Sequence, residues 1–167
     1  MMEKVRYTIL ILLFFSTSCL SQSSTPIVVG AERFDEYLPL LQNKEVAVVG
    51  NQTSMVGNVH LVDALLKRGV NITKIFTPEH GFRGTADAGA SISNSVDGKT
   101  GLPIISLYGS HKKPTKEDLQ GIDIIVFDIQ DVGVRFYTYI STMHYVMEAC
   151  AEKQVSFLVL DRPNPNG

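Results

Sequence analysis

The sequence predicts an open α/β domain of the doubly wound, Rossmann-like type, a parallel sheet with helices on both faces. Short runs that are apolar throughout or almost throughout, such as residues 46–49 and 155–160, are typical of strands buried on both faces. These runs alternate with longer amphipathic segments of helical periodicity. The chain has 167 residues, of which 44% are hydrophobic and 19% charged, so it is long enough for one such domain and too apolar to be disordered.

The first predicted elements lie within residues 27–49. Residues 27–29 (Ile-Val-Val) predict a short strand. Residues 31–42 place apolar side chains at helical spacing, and Pro39 is expected to kink or split that helix because proline has no backbone N–H. Residues 46–49 (Val-Ala-Val-Val) predict the second strand.

A helix, a strand and a long loop follow. Residues 60–68 carry their apolar side chains on one face and predict a helix that ends at Gly69. The alternation over residues 70–76 predicts the third strand. Residues 83–102 are rich in small residues and lack periodicity, which predicts a long loop, and such loops are usually functional or mobile.

The next segment predicts two strands joined by a short helix. Residues 103–107 predict the fourth strand. Thr115, with Asp118 three residues later, resembles a capping box and predicts a short helix that ends at Gly121. Residues 122–129 are apolar almost throughout and predict the fifth strand.

Residues 137–153 predict the longest helix, and residues 155–160 predict the last strand. One apolar stripe at helical spacing consists of Phe136, Ile140, Met143, Met147 and Cys150. We expect this stripe to face the sheet. Cys150 is then a buried structural cysteine rather than a nucleophile, because no basic residue flanks it to lower its pKa.

The N-terminal residues are predicted to lie outside the domain, which spans 27–167. A basic start, an apolar run at 9–15 and small residues before Cys19 are typical of a secretory signal. The pattern before Cys19 also resembles the lipobox of bacterial lipoproteins, so we expect a signal peptide over 1–18, lipid on Cys19 and a polar tether over 19–26. The alternative is ordinary cleavage near residues 21–24. Both alternatives predict an exported protein, and we expect a periplasmic one that touches the membrane only through its lipid.

Charge and motif content exclude several functions. The 15 Lys and Arg nearly balance the 17 Asp and Glu, which leaves no electrostatic footprint for nucleic acid. The glycine fingerprint of dinucleotide-binding loops, the phosphate-binding loop and the nucleophile elbow of hydrolases are all missing from the sequence. The four histidines have no metal-ligand spacing. We therefore expect no cofactor and no metal, and a periplasmic oxidoreductase is disfavoured.

Polar segments follow five of the predicted strands. They are residues 50–53, 77–84, 108–110, 128–135 and 161–167. Ligands of open α/β sheets bind outside the carboxyl ends of the strands. The amides, carboxylates, guanidiniums and phenol of these segments suit a polyhydroxylated ligand.

Several of these polar residues have an alternative, structural interpretation. Asp128 and Asp161 at strand ends often cap a helix or hold a loop, with Arg135 and Arg162 as their ion-pair partners. Asn164, in a proline-rich segment, suits a turn.

Glu79 differs from these residues because it follows a proline and has no helix to cap. Its neighbours Phe76, Pro78 and Phe82 are apolar. Such surroundings are expected to raise the pKa of a carboxyl group, as a general acid requires. We therefore interpret Glu79 as catalytic.

Four motifs in this order resemble the NamZ-type exo-β-N-acetylmuramidases, formerly a family of unknown function. They are Gly-Asn-Gln-Thr at 50–53, Thr-Pro-Glu-His-Gly-Phe-Arg-Gly at 77–84, Phe-Asp-Ile-Gln-Asp-Val-Gly-Val-Arg-Phe-Tyr-Thr-Tyr at 127–139, and Leu-Asp-Arg-Pro-Asn-Pro at 160–165. The similarity extends from about residue 46 to residue 167.

The resemblance implies a glycoside hydrolase of cell-wall recycling that releases N-acetylmuramic acid from the non-reducing end of peptidoglycan fragments. It assigns the family's catalytic glutamate to Glu79. The substrate-binding or supporting residues are then Asn51, His80, Arg83, Asp128, Gln130, Asp131, Arg135, Tyr137, Asp161, Arg162 and Asn164. It also implies a second α/β domain that this chain is expected to lack.

Two functional hypotheses remain open on the sequence. The first is the glycosidase, with Glu79 as acid and either Asp128, Asp131 or the substrate's own acetamido group as its partner. The second is a non-catalytic lipoprotein that binds cell-wall sugars at the same edge. The sequence does not distinguish retaining, inverting and substrate-assisted hydrolysis.

Overall fold

The structure is a computed structural model that describes residues 27–84 and 94–166. The predicted signal peptide, Cys19 and the tether lie outside the described residues. The elements in chain order are α1 (Phe34–Leu41), β1 (Val46–Gly50), β2 (Met55–Val56), β3 (Val59–His60), α2 (Leu61–Lys67), β4 (Ile72–Thr77), β5 (Ser95–Val96), β6 (Pro103–Ser106), β7 (Ile124–Asp128), α3 (Tyr139–Lys153) and β8 (Ser156–Val159).

Six of the strands form one sheet in the order β5-β6-β4-β1-β7-β8. The five strands from β6 to β8 are parallel, and β5 pairs antiparallel with the edge of β6. The chain first builds outward from β1 through β4 to β6 and then continues on the other side of β1 with β7 and β8. This is the doubly wound order, so the predicted fold class is confirmed, and its switch point lies at the carboxyl end of β1.

Two apolar cores cover the two faces of the sheet. Val46 and Val48 of β1 pack with the core that contains α1 and α2, whereas Ala47 and Val49 pack with the core that contains α3. All five residues of β1 are buried. Of the predicted apolar runs, those of β1 and β7 are the buried central strands, as a sheet covered on both sides requires. The run at 155–160 was also predicted to be buried on both faces, but it forms the edge strand β8, which is only partly buried.

The N-terminal elements differ from the prediction. Residues 27–29 are not a strand: Ile27 and Val28 are exposed, and the chain joins the sheet end through one backbone hydrogen bond, from Gly30 N to Asp161 O (2.8 Å). The predicted helix is split, but at Arg33 rather than at Pro39. A 3-10 turn precedes Arg33, and Pro39 lies inside α1, which ends two residues later at Leu41.

The capping box at Thr115 is present without its helix. Thr115 N donates to Asp118 Oδ2 (2.7 Å) and Asp118 N donates to Thr115 Oγ1 (3.2 Å). The segment then turns at Gly121, whose φ is +76°, before a helix can extend. The predicted loop 83–102 also contains regular structure, since Ser95 in β5 pairs with Ile104 in β6.

The buried face of α3 is not the predicted stripe. Phe136 is 85% exposed, Ile140 61% and Met147 47%. Cys150 is buried as expected, on the face that meets the sheet. The other buried members of that face are Tyr139, Thr142, Val146 and Ala149. Both stripes have helical spacing, and the buried one contains a threonine and an alanine that a hydrophobicity pattern undervalues. In the described part of the chain, no helix is both long and apolar enough to cross a membrane.

Candidate active site

The carboxyl ends of β1, β4, β6 and β7 meet at one edge of the sheet, and Asn51 lies at its centre. The Asn51 side chain is buried, and its Oδ1 accepts hydrogen bonds from Thr53 N (2.9 Å) and Thr53 Oγ1 (2.6 Å). Asn51 N donates to Ser54 Oγ (3.0 Å), and the Ser54 hydroxyl donates to the Asp128 carbonyl oxygen. The turn after β1 is thus fixed to the end of β7, beside the switch point.

His60 supports the same turn from below. Its ring pairs with the Asn51 carbonyl oxygen through Nε2 (3.0 Å), and its Nδ1 accepts from Val62 N at the start of α2 (3.3 Å). Burial lowers the pKa of His60. In the sequence, His60 is a histidine without metal-ligand spacing and the first residue of the helix predicted over 60–68. The structure corrects this, because α2 begins at Leu61 and His60 is its N-cap residue.

Three buried polar atoms at this edge have no hydrogen-bond partner among the described residues. They are Asn51 Nδ2, Thr77 Oγ1 and Ser106 Oγ. Thr77 and Ser106 are register partners that end the adjacent strands β4 and β6. Unpartnered buried polar groups are costly, so their concentration at three neighbouring strand ends makes this edge the candidate site. The sequence placed Thr77 in the polar segment 77–84 without assigning it a role and placed Ser106 inside the predicted strand 103–107, and each is the polar last residue of its strand.

Glu79 lies in the loop that leaves β4. The next residue, His80, has a φ of +74°, which is unfavourable for a residue with a Cβ, and Gly81 continues in the same region (φ +78°). Glu79 lines a cavity of about 190 Å³ at the end of β4. We call it the Glu79 cavity. Hydrogen bonding to Glu79 and its negative charge raise the pKa of the Tyr108 phenol, which lines the same cavity.

The apolar surroundings expected for Glu79 are only partly present. Pro78 lines the cavity with it. Phe76 packs in the core of one face of the sheet, and Phe82 packs in the other, against the ring of His60 (4.4 Å between centroids). Phe82 lies in the loop after β4, beyond the left-handed backbone of His80 and Gly81, so proximity in sequence did not imply a common environment.

Tyr139, the first residue of α3, interacts with the side chains of both Asn51 and Glu79, and both affect its pKa. Burial raises the pKa of its phenol, the charges of Tyr137 and Glu79 add to the effect, and the Asn51 side chain opposes it. The Tyr137 and Tyr139 rings meet edge to face at 5.9 Å. Tyr137 is exposed, so its ring is available to stack on the ring of a ligand.

The family described as "Exo-beta-N-acetylmuramidase NamZ, N-terminal" matches residues 46–167. The chain belongs to this family. It is 48% identical over 134 residues to the peptidoglycan beta-N-acetylmuramidase NamZ of Bacillus subtilis (strain 168), a match that covers 79% of this chain and 32% of the relative.

Two crystal structures of DUF1343 family proteins from Bacteroides fragilis have the same fold. One is 47% identical with a TM-score of 0.74 and is matched over 85% of this chain and 36% of its own. The other is 43% identical with a TM-score of 0.74 and is matched over 82% of this chain and 35% of its own. The chain therefore spans about a third of the length of the relatives it matches.

Asp128 of this NamZ N-terminal domain is held by Arg162. Arg162 Nε donates to Asp128 Oδ1 (2.6 Å), and Arg162 Nη2 donates to Asp128 Oδ2 (2.9 Å) and to Met55 O in the β2–β3 hairpin (2.8 Å). Burial raises the pKa of Asp128, and Arg162 opposes it. Because both carboxylate oxygens are occupied, Asp128 supports the architecture of the domain and is poorly suited to be the partner of Glu79.

Arg83 also has a structural partner set. Its guanidinium donates to Asp97 from Nε (2.7 Å) and to Asp63 from Nη2 (3.0 Å), which ties the loop after β4 to α2 and to the segment after β5. The Arg83 guanidinium holds the pKa of Asp97 well below its usual range. The candidate substrate-binding residue Arg83 is thus engaged away from the Glu79 cavity.

Gln130 and Asn164 join the loops after β7 and β8. Gln130 Nε2 donates to Pro163 O (2.9 Å), and its backbone N donates to Thr53 Oγ1 (3.0 Å). Gly133, at a φ of +68°, leaves room for Asn164, since a Cβ there would lie 2.3 Å from Asn164 Nδ2. Asn164 Oδ1 accepts from Asn166 N (3.0 Å), which is the turn-forming alternative.

Asp131, Asp161 and Arg135 complete the predicted set. Asp131 Oδ1 accepts from Gly133 N (2.6 Å), and Asp131 lines a second cavity of about 260 Å³ together with Asp161 and Tyr139. Arg135 is exposed and forms no ion pair with a described residue, so the predicted pairing with an aspartate is made by Arg162 alone. Residues 27–84 and 94–166 contain no group of three side chains arranged to hold a metal ion.

Proposed function

We propose that this edge is the active site of a glycosidase that releases terminal N-acetylmuramic acid from peptidoglycan fragments. The proposal is supported by membership of the NamZ N-terminal family and by 48% identity to a peptidoglycan beta-N-acetylmuramidase. The main structural support is the position of Glu79, which lines a cavity beside the switch point of a doubly wound sheet. Its loop has left-handed backbone at the next two residues.

Glu79 acts as the general acid in this proposal. Cleavage of a glycosidic bond needs a proton on the leaving oxygen while positive charge develops on the sugar ring. A carboxyl group in a cleft delivers that proton, and the Tyr108 phenol beside Glu79 keeps it oriented. The exposed Tyr137 then offers a ring face to the sugar.

Asp131 is the better candidate for the second carboxylate. Asp128 has both oxygens engaged by Arg162, whereas Asp131 uses Oδ1 for Gly133 and lines a cavity that also reaches Tyr139. If Asp131 is not the partner, the acetamido group of the substrate supplies the second function, as in substrate-assisted hydrolases.

The experiment compares the chain with Glu79→Gln on two substrates. One is the natural disaccharide with N-acetylmuramic acid at its non-reducing end. The other is the 4-nitrophenyl glycoside of N-acetylmuramic acid. Glutamine keeps the size but has no proton to give, so turnover of the disaccharide should fall roughly a hundredfold and turnover of the nitrophenyl glycoside less. The control is Glu117→Gln, at an exposed position away from the cavity.

Three results contradict the proposal. Normal turnover by Glu79→Gln removes the assigned acid. An equal loss in Glu117→Gln makes the effect nonspecific. Binding of N-acetylmuramic acid without hydrolysis of either substrate identifies a sugar-binding module instead of an enzyme.

We also propose that the protein is exported and carries lipid on Cys19. The basic start, the apolar run at 9–15 and the small residues before Cys19 support this. Cells fed a labelled fatty acid should label the protein, and Cys19→Ser should abolish the label. A labelled Cys19→Ser protein, or an unlabelled parent, contradicts the proposal.

A further inference from the structure

A lysine side chain, Lys112, lines the Glu79 cavity together with the proposed catalytic acid. The polar lining of this cavity consists of Glu79, Tyr108, Lys112, Thr138, Ser141, Thr142 and Tyr145. These residues come from the loops after β4 and β6 and from the N-cap and first two turns of α3. One carboxyl group, one ammonium group and several hydroxyl donors therefore surround a space of about 190 Å³. A neutral sugar hydroxyl does not need the ammonium group.

Lys112 is not committed to an ion pair with a described residue, in contrast to its neighbour. Lys113 Nζ lies 3.2 Å from Glu148 Oε2 and 2.8 Å from Glu152 Oε1 on α3. No carboxylate among residues 27–84 and 94–166 lies within 4.0 Å of Lys112 Nζ. Two consecutive lysines thus have different roles: Lys113 fastens the loop to α3, and Lys112 lines the cavity.

The start of α3 adds positive potential to the same space. Thr138 is the N-cap residue, its side chain makes no capping hydrogen bond, and the first turn holds no acidic residue. The Thr142 hydroxyl is already used, since it donates to Thr138 O (3.3 Å). The N-terminal end of this 15-residue helix favours negative charge, which reinforces the contribution of Lys112.

A protonated Glu79 leaves Lys112 as the charged group of the cavity lining. A general acid must be protonated when the substrate binds, so the cavity then favours an anionic group of the substrate placed near the scissile bond. N-acetylmuramic acid carries such a group, the lactyl carboxylate on O3, and N-acetylglucosamine lacks it.

We propose that the Glu79 cavity binds the lactyl carboxylate of the terminal sugar through Lys112 and the hydroxyls of Ser141 and Tyr145. Lys112 is then the residue that distinguishes N-acetylmuramic acid from N-acetylglucosamine. The inference rests on the proposed function and specifies the recognition element of that same site.

The test measures binding of the two free sugars to the chain and to two lysine variants by calorimetry. Lys112→Met should weaken binding of N-acetylmuramic acid by about tenfold or more, because a charge-assisted hydrogen bond is lost, and leave N-acetylglucosamine unaffected. Lys113→Met is the matched control and should change neither affinity. Added salt should weaken binding of N-acetylmuramic acid only.

The outcomes separate this inference from the proposed function. Lys112→Met with unchanged affinity for N-acetylmuramic acid, or with equal losses for both sugars, overturns the inference even if the chain hydrolyses muramides. A Lys112-dependent preference for N-acetylmuramic acid without hydrolysis supports the inference and overturns the enzyme proposal. Binding of neither sugar overturns the inference, and melting curves verify that each variant is folded.

Discussion

Removal of Arg162 should destabilise the domain strongly. Its side chain is 8% exposed and the Asp128 side chain 0%. Arg162→Met deletes three hydrogen bonds and leaves the Asp128 carboxylate and the Met55 carbonyl oxygen without these donors. Breaking a buried ion pair by removing one partner costs about 3–5 kcal/mol. With a urea dependence of about 2 kcal/mol per molar, the unfolding midpoint should fall by about 2 M.

The loss should depend on pH in a defined direction. Burial raises the pKa of Asp128 and Arg162 opposes it, so the variant should raise that pKa further. A carboxyl whose folded-state pKa lies above its unfolded value of about 3.9 stabilises the fold below that value and loses this contribution as pH rises through the folded pKa. Arg162→Met should therefore recover stability relative to the parent as pH falls from neutral toward about 4.

Urea titrations at several pH values measure both effects. The double variant Asp128→Asn with Arg162→Met removes the buried charge and should be more stable at neutral pH than Arg162→Met alone. Arg33→Met breaks an exposed pair with Glu36 and should cost less than about 1 kcal/mol. A loss below about 1 kcal/mol for Arg162→Met, without pH dependence, refutes this reasoning.

Two further predictions concern close packing. Gly30→Ala should lower the free energy of unfolding by about 2 kcal/mol in urea titrations, because its Cβ would lie 2.6 Å from Asp161 N. The control Gly98→Ala should be nearly neutral, because its Cβ meets nothing within 4 Å. Equal effects of the two substitutions contradict this prediction. Burial raises the pKa of the Cys150 thiol to about 11, so iodoacetamide at about pH 8 should alkylate Cys150 only after unfolding. Mass spectrometry of the Cys150 peptide measures the alkylation, and rapid labelling of the folded protein contradicts the prediction.

The sheet was predictable because its central strands are buried on both faces. Runs such as residues 46–49 and 122–129 have no polar alternation, and that pattern has few alternatives. The β2–β3 hairpin was missed because its strands have two residues each, with Gly57 at a φ of +55° as the turn signal. The stripe of α3 was wrong because Thr142 and Ala149 pack well despite weak hydrophobicity.

The site was predictable as a place and less so as a set of contacts. The motifs located Asn51 and Glu79 at strand ends, since the carboxyl edge of a parallel sheet follows from topology. The sequence did not predict which ion-pair partner each charged side chain would have. Arg83 found Asp63 and Asp97, which are 20 and 14 residues away in sequence, and Arg162 reached Asp128 across 34 residues. Such pairings depend on loop paths that local patterns do not encode.

The most direct test of the central claim is a crystal structure of the chain with N-acetylmuramic acid. The account predicts the sugar at the carboxyl edge, with its anomeric oxygen within hydrogen-bond distance of Glu79 and its lactyl carboxylate at Lys112. A sugar bound elsewhere, such as the groove between α1 and β8, with an empty Glu79 cavity, would contradict the account.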